Sequence, residues 1–344
     1  MFKYTTKILK ISILALLMVV DIFASGGRRN GTAGAQELLI PVGARGLALR
    51  GAYVAGLEGI DAIYYNPAGL GVSRNSTEAM FSHMNYIADI GVSYAAIGTN
   101  FEGLGSLAFS IKSIDFGDIP VTTVENPSGT GAIFSPLFVT FGVTYANALT
   151  DRIRVGVTLN VVSEKIVNTS ATGISFDAGV QYNGIAEIDG LKLGVVLKNF
   201  GAQMKFDGPD LLRQAEAVNG LRGEQLYKID AAGFELPSQI ELGLAYERRF
   251  ADDFKALFAT SFQNNNFAND EYRFAAEFGF KDIFFVRGGY ALVPDAKVDQ
   301  ENIFGPTFGA GINLDAGINI VVDYAYRTTT YFDANHMFSV KLGF

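Results

Sequence analysis

Residues 137–166 read LFVTFGVTYANALTDRIRVGVTLNVVSEKI. In the first half Leu137, Val139, Phe141, Val143 and Tyr145 interleave with Phe138, Thr140, Gly142, Thr144 and Ala146. In the second half Ile153, Val155, Val157, Leu159 and Val161 interleave with Arg154, Gly156, Thr158, Asn160 and Val162. A period of two puts each set on one face of a β-strand, one face apolar and the other mostly small or polar. Four residues, 148–151, separate the two runs, which reads as a hairpin with a tight turn.

The pattern repeats in both directions. Ile174, Phe176, Ala178, Val180 and Tyr182 alternate in one run, Leu191, Leu193, Val195 and Leu197 in the next, and Ile240, Leu242, Leu244 and Tyr246 in a third. Candidate strands fall at 77–86, 90–100, 104–113, 136–147, 152–164, 172–183, 190–199, 237–248, 253–263, 271–280, 283–292, 304–314, 316–327 and 334–344. These fourteen segments are about twice the usual globular strand of five or six residues. A tilted strand crossing a bilayer needs about 9–11 residues, which matches them.

After the first strand, the connections fall alternately into two classes. Those at 101–103, 148–151, 184–189, 249–252, 281–282 and 315 are tight. Those at 114–135, 165–171, 200–236, 264–270, 293–303 and 328–333 are longer, and 87–89 is the short member of that class. Even strand number with short turns at one end and long loops at the other predicts an all-β fold, a transmembrane antiparallel β-barrel over residues 77–344. The location it predicts is the bacterial outer membrane, with outer-membrane lipid as partner and both ends of the mature chain on the turn side. Tyr145, Tyr182, Tyr246, Phe280 and Phe344 lie on the apolar parity near the turn end, as an interfacial aromatic ring would. Phe338, Val340, Leu342 and Phe344 form a terminal alternating segment that resembles the signal read by the barrel-insertion machinery.

Composition narrows the function. The chain of 344 residues is 49% hydrophobic and 18% charged, with 39 Gly, no Cys and two His. Without cysteine there is no disulfide framework, thiolate metal site or cysteine nucleophile. The two histidines, His83 and His336, sit in the first and last candidate strands with no partner that sequence can assign. A formal charge of −8 has the wrong sign for a phosphate-binding surface, so nucleic acid is not an expected partner. A GxSxG elbow, a P-loop and an HExxH pair are all missing, and GLGSLA at 103–108 leads into a strand rather than a helix. The expectation is a protein that is not an enzyme and takes no cofactor or metal.

Residues 1–24, MFKYTTKILKISILALLMVVDIFA, combine Lys3, Lys7 and Lys10 with an apolar run and small residues after it, the three parts of a secretory signal peptide. Residues 25–76 then precede the barrel. They are rich in glycine and alanine with isolated charges at Arg45, Arg50, Glu58 and Asp61, which suits a plug inside a polar lumen too wide for wall side chains to fill. Asp61 is placed to cap a short helix over 62–65, and Pro67, with Asn66 before it and Gly69 after it, to stop that helix.

Within 31–71, the stretches TAGAQ, PVGARGLALRGAYVA and YYNPAGL resemble the N-terminal signature of the PorV/PorQ family, part of the wider FadL-like group of fourteen-stranded barrels. Arg50 departs from the pattern, where a small residue or glycine is expected. The resemblance implies two functions. PorV-like members serve type IX secretion, receiving exported proteins by their C-terminal signal domains. FadL-like barrels pass hydrophobic small molecules across the outer membrane. Handling of exported proteins is the first expectation, passage of hydrophobic molecules the alternative, and a structural scaffold the third.

Two loops bear on the choice. In 200–236, Pro209 can start a helix and Gly220 end it, with Leu211, Leu212, Ala215 and Val218 on one face as a candidate partner surface. Loop 114–135 mixes apolar residues with turn formers and could complete that surface. Strand parity sends Arg154, Asp177, Lys192, Lys198, Glu241, Glu247, Arg273, Glu277, Asn319, Asp323 and Arg327 inward, a mixed set suited to holding a plug.

Overall fold

Alternation along the chain becomes one continuous antiparallel ladder in the computed structural model, which describes residues 29–73, 75–215, 223–294 and 302–344. The predicted signal peptide, 1–24, and Val218 lie outside the described residues. The first half of the chain carries β1 (Thr77–Asn85), β2 (Gly91–Phe101), β3 (Gly105–Asp115), β4 (Ile119–Pro120), β5 (Ile133–Phe134), β6 (Leu137–Ala148), β7 (Ile153–Ile166), β8 (Thr169–Asn183) and β9 (Leu191–Gly201). The second half carries β10 (Leu212–Ala215), β11 (Gln225–Lys228), β12 (Gln239–Ala251), β13 (Phe254–Asn265), β14 (Glu271–Phe280), β15 (Phe284–Leu292), β16 (Phe304–Asp315), β17 (Asn319–Thr329) and β18 (Asn335–Gly343). The pairs β4–β5 and β10–β11 are small hairpins in loops, and the other fourteen strands close into a barrel.

Closure joins the first strand to the last. β1 pairs with β2 on one side and with β18 on the other, Phe81 facing Val340 and Ser82 facing Ser339. A closed sheet has no edge, so every wall strand has a backbone partner on both sides. Parity then sorts the side chains in the direction opposite to that of a water-soluble protein. Phe141 is 52% exposed and Val157 53%, while Thr144 and Thr158 between them are 1% and 4%. The polar residues are inside and the apolar ones outside, as in a barrel surrounded by hydrocarbon. Phe338, Val340 and Phe344 are exposed on this outer surface and Leu342 half-buried.

Three local expectations are corrected. The connection expected at 165–171 shrinks to Val167 and Asn168, because β7 and β8 extend toward each other and Ser170 also bridges to Asp207. The helix expected from Pro209 is a single 3-10 turn, Pro209–Leu211, followed by β10 paired to β11. Leu212 and Ala215 are exposed there, so a helix would have had no surface to bury its apolar face against. The hairpin satisfies the backbone without one. Finally, the described chain begins at the loop end rather than at the turn end: Gly31 N–H donates to Phe267 O at 3.1 Å and Gly34 N–H to Glu235 O at 3.0 Å, both acceptors in long loops. Phe344, by contrast, bonds Thr77 at the turn end.

Candidate functional site

Residues 29–73 run from the loop end to the turn end and pack against the inward-facing side of the wall. The segment contains one α-helical turn, α1 (Ala44–Ala48), and 3-10 turns at Gln36–Leu39, Gly59–Ala62 and Pro67–Gly71. Its core residues, among them Leu47, Leu49, Tyr53, Val54, Leu57 and Ile60, are 0–2% exposed. The close packing depends on inward-facing glycines. A Cβ on Gly156 of β7 would lie 2.4 Å from the Pro67 carbonyl carbon, and one on Gly194 of β9 2.5 Å from Val54 O. A glycine at inward parity in each of several neighbouring strands is the sequence signal of this packing.

Charged residues tie the segment to the wall. Arg45 on α1 grips Glu277 of β14 with two bonds, Nε to Oε2 at 3.1 Å and Nη2 to Oε1 at 2.9 Å. Glu277 also bonds Arg287 of β15, which reaches on to Asp323 of β17. Glu58 pairs with Arg154 of β7 at 3.1 Å. Asp61 accepts from Lys341 Nζ at 2.6 Å. Burial raises the Asp61 carboxyl, but Lys341 and then Arg45 outweigh it and hold the pKa below the ordinary aspartate value. Breaking one member of such a buried pair leaves the other charge stranded, at a cost of about 3–5 kcal/mol.

Two of the expected roles in the segment change. Asp61 caps no helix: it lies inside the turn Gly59–Ala62, whose N-cap Glu58 makes no side-chain cap bond. Pro67 stops nothing but opens the turn Pro67–Gly71, with Asn66 as N-cap accepting the Ala68 N–H at 3.2 Å. Proline suits that position because the first turn needs no N–H from it. The Asn66 side chain also donates to Val54 O at 2.9 Å and to Val180 O of β8 at 3.2 Å, so it stitches the segment to the wall. Gly69 passes so near Leu57 O that a Cβ would lie 2.1 Å away. Gln181 of β8 and Lys112 of β3, neither of them singled out by sequence, donate to segment carbonyls: Gln181 to Leu57 O at 3.0 Å and Lys112 to Glu37 O at 2.7 Å.

The segment separates two cavities of different character. At the loop end lies a cavity of about 850 Å3, walled by Tyr64, Tyr65, Tyr86, Phe206, Phe234 and Phe304 together with the charged Arg50, Lys198, Glu241, Arg273 and Arg327, among others. At the turn end lies one of about 170 Å3, lined by Arg45, Glu58, Lys192, Glu277, Asp323 and Lys341 among others. The two share no lining residue. Loop residues form one side of the larger one: Phe206 and Phe234 line it and pack against the cluster of Met204 and Leu236 with Ala35 and Leu38 of the segment. Of the residues named as a candidate partner surface, Pro209, Leu211, Leu212 and Ala215 stay in the loop and line none of this. Arg50, by contrast, lines the cavity.

No protein-family model matches the sequence, and no curated protein does. Solved structures do. A CymD monoaromatic hydrocarbon channel aligns over 88% of this chain and 97% of its own at 12% identity and a TM-score of 0.54. The Pseudomonas putida toluene transporter TodX aligns over 88% and 98% at 13% identity and a TM-score of 0.52. A Pseudomonas aeruginosa FadL homologue aligns over 88% and 98% at 11% identity and a TM-score of 0.52. The chain therefore shares its fold with CymD, TodX and the FadL homologue, and in this chain that fold is a closed barrel of fourteen antiparallel strands.

Proposed function

We propose that the protein is an outer-membrane channel for hydrophobic small molecules, with residues 29–73 as its plug. The observation that carries this reading is the cavity of about 850 Å3 at the loop end, walled by eight aromatic rings and separated by the segment from the polar turn-end cavity. A concave, largely apolar site of this size is what a small hydrophobic ligand requires. The apolar outer wall supports placement in a bilayer crossed by strands. No helix among the described residues is long and apolar enough to cross a membrane. The neighbours in fold include channels named for monoaromatic hydrocarbons and toluene.

In this reading the ligand enters from the loop side, rests among the rings, and passes when the plug yields. The reading in which the barrel handles exported proteins rests on the signature within 31–71, and the loop helix expected as its docking face is replaced by a hairpin. The test is uptake. Cells that make the protein should take up methylnaphthalene faster than cells that lack it, and equal rates would refute the channel.

A further inference from the structure

Arg50 occupies a position where its backbone and its charge are both unusual. Its φ is 54°, in the left-handed region that favours glycine, at a cost of about 1 kcal/mol for any other residue. Its Cβ fits because Gly289 of β15 lies opposite, where an added Cβ would come within 2.7 Å of it. The guanidinium is carried into the wall of the larger cavity with the residue 9% exposed. Burial is the largest influence on it and lowers its pKa below the ordinary arginine value.

A second guanidinium stands beside the same ring. The Arg327 Cζ lies 3.7 Å from the centre of the Phe304 ring and the Arg50 Cζ 6.0 Å from it. Arg327 is 3% exposed and donates Nε–H to Asn335 Oδ1 at 2.8 Å. Arg50 donates Nη2–H to Phe304 O at 3.4 Å. That carbonyl lies past the end of the β15–β16 ladder, which stops at Gly289 and Thr307. Arg50 Nε and Arg327 Nη2 have no partner among the described residues. Buried N–H groups of a charged side chain are costly to leave unpaired.

The neighbouring carboxylates are already engaged. Glu271 accepts from Arg273 Nε at 2.9 Å, and Glu241 accepts from Ser261 at 2.8 Å and lies 3.5 Å from Arg273. At this wall three guanidiniums stand beside two carboxylates, and the whole lining, with Lys198, Glu37 and Glu164, carries four cations and four carboxylates. The remaining acids of the cavity, Glu37 and Glu164, belong to the segment near Lys112 and to β7, on the opposite side of the barrel from β17.

From this geometry, and resting on the channel reading above, we propose that the larger cavity selects aromatic carboxylates, with Arg50 and Arg327 holding the carboxylate and the surrounding rings holding the aromatic body. A carboxylate accepts from both unpartnered donors, and hydrogen bonds to a charged acceptor are the strong ones. Eight aromatic residues line the cavity, and they favour an aromatic body, met edge or face, over a straight alkyl chain. Arg50 is then a specificity residue, which explains why it stands where the backbone would favour glycine.

The test uses the full chain in lipid nanodiscs, with naphthoate and methylnaphthalene as a matched pair, hexadecanoate as a straight-chain carboxylate, and empty discs as blank. The protein has no Trp, so naphthoate fluorescence is read directly. Naphthoate should bind at least about tenfold more tightly than methylnaphthalene. Arg50→Gly, which suits the local backbone, and Arg327→Met should each abolish that preference, so that naphthoate binds no more tightly than methylnaphthalene to the same variant. Arg327→Lys should retain part of it. Heat-shifted gel migration reports whether each variant still forms the barrel, and the Arg50→Gly result decides if Arg327→Met does not. Equal binding of naphthoate and methylnaphthalene overturns the proposal, as does tighter binding of hexadecanoate than of naphthoate. Either of those results with faster methylnaphthalene uptake by cells leaves the channel reading standing. No binding of any probe and no faster uptake refutes both.

Discussion

Asp61 and Lys341 are 280 positions apart in sequence and 2.6 Å apart in space. One belongs to the segment that threads the lumen, the other to the strand that closes the barrel, so this ion pair couples closure of the wall to seating of the segment.

Breaking the pair should loosen the segment more than the wall. Asp61→Asn leaves Lys341 buried without its counter-charge, a loss of about 3–5 kcal/mol. Limited proteolysis should cut within 29–73 faster in this variant, while the barrel still shows heat-shifted migration on gels. Asp61→Asn combined with Lys341→Met should recover much of the loss, because no charge is then stranded.

The pair also sets an acid limit. The Asp61 carboxyl is held below its ordinary value in the folded protein, so its contribution is complete above about pH 3.9, the unfolded value. The contribution is lost as pH falls through the lower folded pKa. Protection of the segment from an acid-active protease should therefore persist from pH 7 to about pH 4 and decline below it. Asp61→Asn should not show this additional decline. Loss of protection between pH 7 and 5 in the wild-type chain would contradict the assignment.

Gly194 tests whether the segment blocks the lumen. The nearest segment atom, Val54 O, would be 2.5 Å from a Cβ at that position. Gly194→Val forces two backbones apart, an overpacking of about 1–3 kcal/mol, and the segment is the mobile partner because the wall strand is paired on both sides. Planar-bilayer recordings should show higher conductance than the wild type from a barrel that still forms.

The route of the segment predicts where it emerges. Gly31 and Gly34 bond Phe267 and Glu235 in the long loops, whereas Phe344 lies at the turn end. An epitope placed directly before Arg29 should be reached by antibody on intact cells, and one placed after Phe344 only after the outer membrane is opened. The reverse pattern would show that the barrel sits the other way up.

Sequence by itself determined the wall. Alternation is a local property, readable two residues at a time, so all fourteen barrel strands were legible from apolar parity, with ends displaced by a few residues. The same parity placed Arg154, Asp177, Glu277 and Asp323 inside, and the structure finds each of them buried. The tertiary structure alone decided what those inward residues meet. Asp61 reads locally as a helix cap, and only closure of the barrel brings Lys341 to it. The run from Pro209 has helical spacing, yet without a surface for its apolar face it forms a hairpin. Arg50 reads as a departure from a small-residue position, and only the fold places it beside Arg327 and Phe304. Parity is written into neighbouring residues, but a lumenal contact joins residues hundreds of positions apart, and it exists only once the sheet has closed around them.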